Sequence, residues 1–155
     1  QKPNNNYYTE ALKYAGEITF EAHDYKNALG YFSTLEDVTM DQEDLALAVK
    51  GQFYCFHYLN NPLSTIKYAQ KTLLLSDLTN KLKEESYLFL AQSYQQINEL
   101  DSAVIYYDSI INFTKSIAAA ESKYHICQIA YSRKNYELCE SLIMELVKMW
   151  LQEYF

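Results

Sequence analysis

Residues 84–115 read EESYLFLAQSYQQINELDSAVIYYDSIINFTK, and their spacing decides the fold. Apolar residues recur at three- and four-residue intervals on both sides of Asn98-Glu99-Leu100, the pattern of two amphipathic helices joined by a tight turn. Leu90-Ala91 and Tyr94 fall on the first helix, Ala103 and Tyr107 on the second. Antiparallel helices approach closely only where a small side chain stands at the crossing, with larger groups filling the space beside it. Ala91 and Ala103 are the expected close-approach pair, and Tyr94 and Tyr107 the fillers.

The device recurs. Ala15-Gly16 precedes a turn at His23-Asp24-Tyr25, followed by Ala28 and Phe32. Ile126-Cys127 precedes a turn at Arg133-Lys134-Asn135, followed by Cys139 and Ile143. The most worn copy has Phe53, Phe56, a turn at Asn60-Asn61-Pro62, then Thr65 and Ala69. Gly51 is an alternative small residue for that copy, at the expense of two extra residues in its turn. From Ala28 to Thr65 is 37 residues, from Thr65 to Ala103 38, and from Ala103 to Cys139 36.

With 155 residues, 49% hydrophobic, three Gly and two Pro, the chain has apolar material for one elongated domain spanning 1–155. Pro3 and Pro62 fall where helices should start, positions at which proline costs little. No alternating β-branched run is bounded by turn signals, so the fold class is all-α. Helices are expected near 5–22, 25–38, 42–59, 62–75, 80–97, 100–114, 116–133 and 135–154, making hairpins over about 5–38, 42–75, 80–114 and 116–154.

The large-small pair, the aromatic three residues on, and the later alanine and aromatic resemble the tetratricopeptide repeat, whose period is about 34 residues. Longer linkers between hairpins account for the extra residues here. The strings ALKYAGEITFEAHDYKNALGYF, LNNPLSTIKYA and AAAESKYHICQIAYSRKNYELCESLI are similar to the repeat region of long Bacteroidetes-type tetratricopeptide proteins, and the likeness covers nearly the whole chain. It implies a right-handed superhelix of about four hairpins, an α-solenoid, and a bacterial envelope location. It also implies a fragment of a longer protein that acts as a non-catalytic scaffold for a protein or peptide. The alternatives are a structural or oligomerisation segment of a larger array, and an auxiliary domain of an enzyme or signalling protein.

In such arrays the first helices line a concave groove. Carried onto this chain, the groove face is Lys13, Glu17, Phe20 and Glu21, then Lys50, Tyr54, His57 and Tyr58. The later hairpins supply Leu88, Gln92, Gln95 and Gln96, then Tyr124, Gln128, Tyr131 and Ser132. Tyrosine offers contact area at low entropic cost and amides satisfy a bound backbone, so the wall suits an extended peptide or a helix. Tyrosine is abundant throughout, at 16 residues, so part of it serves packing. The clamp by which some members of this family grip a terminal carboxylate is not matched: Glu17 stands where an Asn is needed, and Leu88 and Gln92 replace cations.

Other classes are excluded or disfavoured. The net charge is −7 with no Lys/Arg cluster, against nucleic acid. No apolar run approaches the roughly 18–20 residues that cross a bilayer. The chain opens at Gln1 without Met, which suggests a trimmed or mature form. Cys55-His57 and His125-Cys127 are each two apart, about 200° around a helix, so neither makes a nucleophile–base couple. Asp41, Glu43 and Asp44 sit at a helix start, where carboxylates favour the dipole. No cofactor, metal or catalytic residue is expected. Cys127 and Cys139 occupy the crossing of the fourth hairpin and are expected in contact as reduced thiols, because helix crossings seldom aim both Cβ vectors for a disulfide. The last helix carries Met144, Leu146, Val147, Met149, Trp150, Leu151, Tyr154 and Phe155 over more than one face. Self-association through Trp150, Leu151, Tyr154 and Phe155 is expected.

Overall fold

The computed structural model describes residues 6–154, with all side chains among them except those at 150 and 152–154. The described residues form eight α-helices and no strand: α1 Asn6–Glu21, α2 Tyr25–Val38, α3 Gln42–Tyr58, α4 Pro62–Leu73, α5 Asn80–Gln96, α6 Leu100–Phe113, α7 Ile117–Ser132 and α8 Tyr136–Tyr154. Every end lies within two residues of its expected position. Pro62 sits in the first turn of α4, where its missing N–H removes no helical bond; Pro3 lies outside the described residues. The chain divides into two compact units between Leu78 and Thr79. In each, neighbouring helices pack in sequence order, the arrangement of an α-solenoid: α1 to α4 in the first, with α1 also touching α3, and α5 to α8 in the second, with α5 also touching α7.

One turn is used four times. His23, Asn60, Asn98 and Lys134 each adopt a left-handed φ of 54–62° directly after a first helix. The next backbone N–H then reaches back five residues, from Asp24 to Thr19, Asn61 to Phe56, Glu99 to Tyr94 and Asn135 to Ala130, at 2.8–3.0 Å. This satisfies helix-end carbonyls and reverses the chain. Asp24, Asn61 and Asn135 then cap the following helix, accepting from Asn27, Ser64 and Leu138 N–H groups respectively. From 23 to 60, 60 to 98 and 98 to 134 the turns repeat every 37, 38 and 36 residues, which puts the second hairpin in register with Thr65 and not with Gly51.

Gly51 has a different task. The ring of Phe32 on α2 lies between Gly16 of α1 and Gly51 of α3: a methyl group added at Gly51 would stand 2.5 Å from Phe32 Cγ, and one at Gly16 2.8 Å from Cε1. Two glycines on flanking helices thus let one aromatic side chain fill the space between three helices. Ala28, Leu35, Ala48 and Cys55 complete this buried layer. In the second unit Tyr107 takes the place of Phe32 and is fully buried. It lies flat on His125 of α7, ring centroids 5.0 Å apart, and donates to Gln95 Oε1 at 2.9 Å. Ala91 and Ala103 are fully buried at the crossing, as their spacing indicates, while Tyr94 stacks on Tyr106 at 5.5 Å.

A polar node joins three helices of the first unit. Glu36 on α2 accepts from Gln52 Nε2 of α3 at 2.6 Å, and from Tyr68 Oη and Lys71 Nζ of α4 at 2.9 and 2.7 Å. Burial pushes the Glu36 carboxyl up, but the Lys71, Gln52 and Tyr68 donors outweigh it and hold it below its ordinary value. Burial and the Glu36 carboxylate push the Tyr68 hydroxyl up to about 12.

Gly51→Ala should destabilise the chain by about 1–3 kcal/mol through overpacking against Phe32. Gly30→Ala, with nothing within 4 Å of the added methyl, should stabilise it by roughly 0.5–1 kcal/mol. Urea titrations read both signs; a Gly51→Ala chain as stable as the parent would mean Phe32 is not wedged. For Glu36 the depressed carboxyl stabilises the fold above its unfolded value, about 4.3, and that contribution disappears as pH falls through the lower folded value. The stability gap between the parent and Glu36→Gln should be flat from pH 8 to 6 and shrink below about pH 4.3. A gap unchanged at pH 3 would show that the charge contributes nothing.

Candidate functional site

On α1, Lys13, Glu17, Phe20 and Glu21 share one side; on α3, Lys50, Tyr54, His57 and Tyr58 share another, and the two helices touch. The aromatic members meet. Phe20 lies 6.2 Å from Tyr54 and 6.0 Å from Tyr58, ring centre to ring centre. Tyr25, at the start of α2, completes the cluster, edge-on to Phe20 at 5.3 Å and stacked on Tyr58 at 4.7 Å. His23 Nδ1 bonds the Tyr25 hydroxyl at 2.8 Å, and His57 packs edge-on to Tyr58 at 5.3 Å. Burial holds the His57 imidazole below its ordinary value, favouring the neutral ring. Tyr58 is half exposed, whereas Phe20, Tyr25 and Tyr54 are partly covered by one another.

The cations assigned to this face are engaged elsewhere. Lys13 bonds Asp44 at 2.8 Å and Glu10 at 3.2 Å, and these carboxylates raise its ammonium above the ordinary value. Lys50 pairs with Asp77 at 2.8 Å, holding that carboxyl below its usual range. Glu17 and Glu21 are exposed, and no salt bridge among the described residues engages them. The face therefore presents tyrosine and carboxylate, not tyrosine and ammonium. Asp41, at the start of α3, caps the N–H groups of Glu43 and Asp44, the structural part its position suggests.

In the second unit the expected wall separates into two kinds of residue. Leu88 packs against the core cluster of Ala91, Tyr107 and Ile126, so it belongs to the interior layer. Gln95 spends its amide oxygen on the buried Tyr107 hydroxyl. Gln92 is partly covered and Gln96 exposed. Tyr124 and Tyr131 are exposed; Gln128 Nε2 donates to Tyr124 Oη at 2.9 Å, and Tyr131 meets Tyr136 edge-on at 5.6 Å. Ser132 is exposed and bonds the Ile129 carbonyl.

Tyr25 and Tyr136 are absent from the sequence-derived face, yet they do the same thing in the first and fourth hairpins. Each follows the turn and packs edge-on against the aromatic five residues earlier, Phe20 and Tyr131. The readable signal is an aromatic residue on both sides of the turn, where the other hairpins have His57 with Pro62 and Gln95 with Leu100.

No group of three or more His, Cys, Asp or Glu side chains among the described residues is arranged to hold a metal ion. Nor is any helix among them long and apolar enough to cross a membrane. Of the residues expected to self-associate, Phe155 and the side chains of Trp150 and Tyr154 lie outside the described residues; Leu151 is 44% exposed.

The cysteine expectation is corrected. Cys127 and Cys139 are joined as a disulfide, with Cα atoms 4.6 Å apart. The crossing brings the backbones to a separation within the usual disulfide range of about 4.4–6.8 Å, closer than the average helix pair. Cys55 is free, fully buried, and its thiol is pushed up to about 12 by burial. A thiol reagent should find none in the folded chain, one in the denatured unreduced chain and three after reduction. Three thiols without reductant would mean the two sulfurs are apart.

No protein-family model matches the chain, and neither does any curated protein, so the reading of these faces rests on their own chemistry.

Proposed function

We propose that this chain is a non-catalytic interaction scaffold of the tetratricopeptide type, its hairpins stacking as a right-handed superhelix, that holds an extended peptide or a helix of another protein. The observation that carries this reading is the ring cluster of Phe20, Tyr25, Tyr54 and half-exposed Tyr58, bordered by Glu17 and Glu21. Rings held against one another lose little entropy on meeting a ligand and offer broad contact area. With Lys13 and Lys50 held by their own carboxylates, a partner's terminal carboxylate finds no free cation on the face. Neutral or cationic segments suit it better. Tyr124, Gln128 and Tyr131 supply a comparable exposed strip in the second unit.

A second reading, a structural segment of a larger assembly, is favoured by α8, whose Ile143, Met144, Val147 and Leu151 are 44–54% exposed. Such a row of apolar side chains is uncommon on a free surface.

Selection of displayed 12-residue peptides on the immobilised chain, followed by fluorescence polarisation, tests the scaffold reading. Recovered peptides should bind about tenfold or more weakly to Tyr58→Ala, a loss of about 1.4 kcal/mol. They should not require a free C-terminal carboxylate. Peptides indifferent to both Tyr58→Ala and Tyr131→Ala would place recognition elsewhere and overturn the proposal.

A further inference from the structure

The repeated turns give every helix position a counterpart in another hairpin. Where α3 receives α2, it buries Ala48, Gly51 and Cys55: Ala48 clusters with Leu35, Gly51 accepts the Phe32 ring, and Cys55 clusters with Ala28 and Phe32. Where α7 receives α6, the equivalent residues are Ser122, His125 and Ile129, with His125 under Tyr107 and Ile129 in one cluster with Tyr107 and Ile110. Both contacts follow one rule, in which a second helix lays two large residues onto a stripe of the next first helix.

Neither end of the described chain has this rule fulfilled. Counted back 37 residues from the α3 stripe, the spacing of His23 and Asn60, the counterparts on α1 are Ala11, Tyr14 and Ile18. All three are exposed, Tyr14 at 61% and Ile18 at 65%, where the α3 and α7 stripe residues Ala48, Cys55 and Ile129 are buried. Counted on 36 residues from Tyr107 and Ile110, the spacing of Asn98 and Lys134, the counterparts on α8 are Ile143 and Leu146. Ile143 is 47% exposed, where Phe32 and Tyr107 are buried. Beside Leu146 an apolar cavity of about 420 Å³ opens between α8 and the start of α7, lined by Ile117, Ala120, Val147 and Met149.

We infer that α8 of one copy docks on α1 of another, head to tail, continuing the contact that α2 makes with α3 and α6 with α7. The occupant of the α8 face is a second copy of this chain because that chain carries, on α1, the matching stripe in the matching register. Side-chain size is complementary as well: Phe32 pairs with a glycine and Tyr107 with a flat imidazole, while the smaller Ile143 leaves room for the larger Tyr14. The contact joins two different surfaces and leaves one of each unused at the ends, so it adds copies in series and does not close on a two-fold axis.

Sedimentation of the 155-residue chain, with circular dichroism as a check on folding, tests this through complementation. Tyr14→Glu with Ile18→Glu spoils the α1 face, and Ile143→Glu with Val147→Glu spoils the α8 face; all four positions are exposed. The parent should gain average mass as its concentration rises to high micromolar. Each double variant should be monomeric, and an equal mixture of the two should form a dimer and nothing larger, because each still carries one intact face. A monomeric parent overturns the inference. So does an α1-face variant that still dimerises, which would indicate a symmetric α8–α8 contact, or a mixture that stays monomeric while both variants remain helical.

Discussion

Phe32 is the constraint on which the first unit depends. Its ring lies where α1, α2 and α3 converge, and it fits only because Gly16 and Gly51 have no side chain on the two sides it touches. A glycine inside a helix gives up about 1 kcal/mol of propensity relative to alanine. Here that loss is offset by a fully enclosed ring and by the close approach of three helices. The second unit meets the same demand differently: Tyr107 is buried against an imidazole, its hydroxyl held by Gln95. Ring against glycine and ring against ring are two solutions to one repeated geometry.

Helix positions, turn positions and the crossing alanines were readable in the sequence because each has a strong local cause. Amphipathic spacing marks the helices, Asn and Asp mark turns and caps, and a small residue marks a crossing. The second hairpin was ambiguous for a physical reason: Gly51 answers to the preceding helix, not to its own hairpin, so its purpose lies outside the segment in which it appears. The disulfide depends on the local closeness of one crossing, which residue types alone do not specify.

The candidate face was readable in part. Phe20, Tyr54 and Tyr58 were found because helical periodicity places them on one side. Tyr25 reads as a turn residue in the sequence, although the turn is what delivers its ring to the cluster. Periodicity places Lys13 and Lys50 on the same face, yet each is held by a carboxylate, Lys13 by Asp44 on α3 and Lys50 by Asp77 far along the chain. Leu88 and Gln95 likewise serve packing. A side chain's position on a helix can be counted from the sequence, but whether a distant partner has already claimed it cannot.

Cys139 is the one buried side chain among the described residues of α8. The helix with the least burial among the described residues is thus the one tied covalently to its neighbour, at a separation of 12 residues. A bridge enclosing a loop of that length removes about 3 kcal/mol of freedom from the unfolded chain in the entropic picture. Its effect falls on local opening more than on the core, because the helix it tethers has little else to hold it. In a reducing compartment the amides of α8 would exchange with solvent well before those of α5 and α6, and the same chain would have a frayed end where an oxidising one gives it a firm edge.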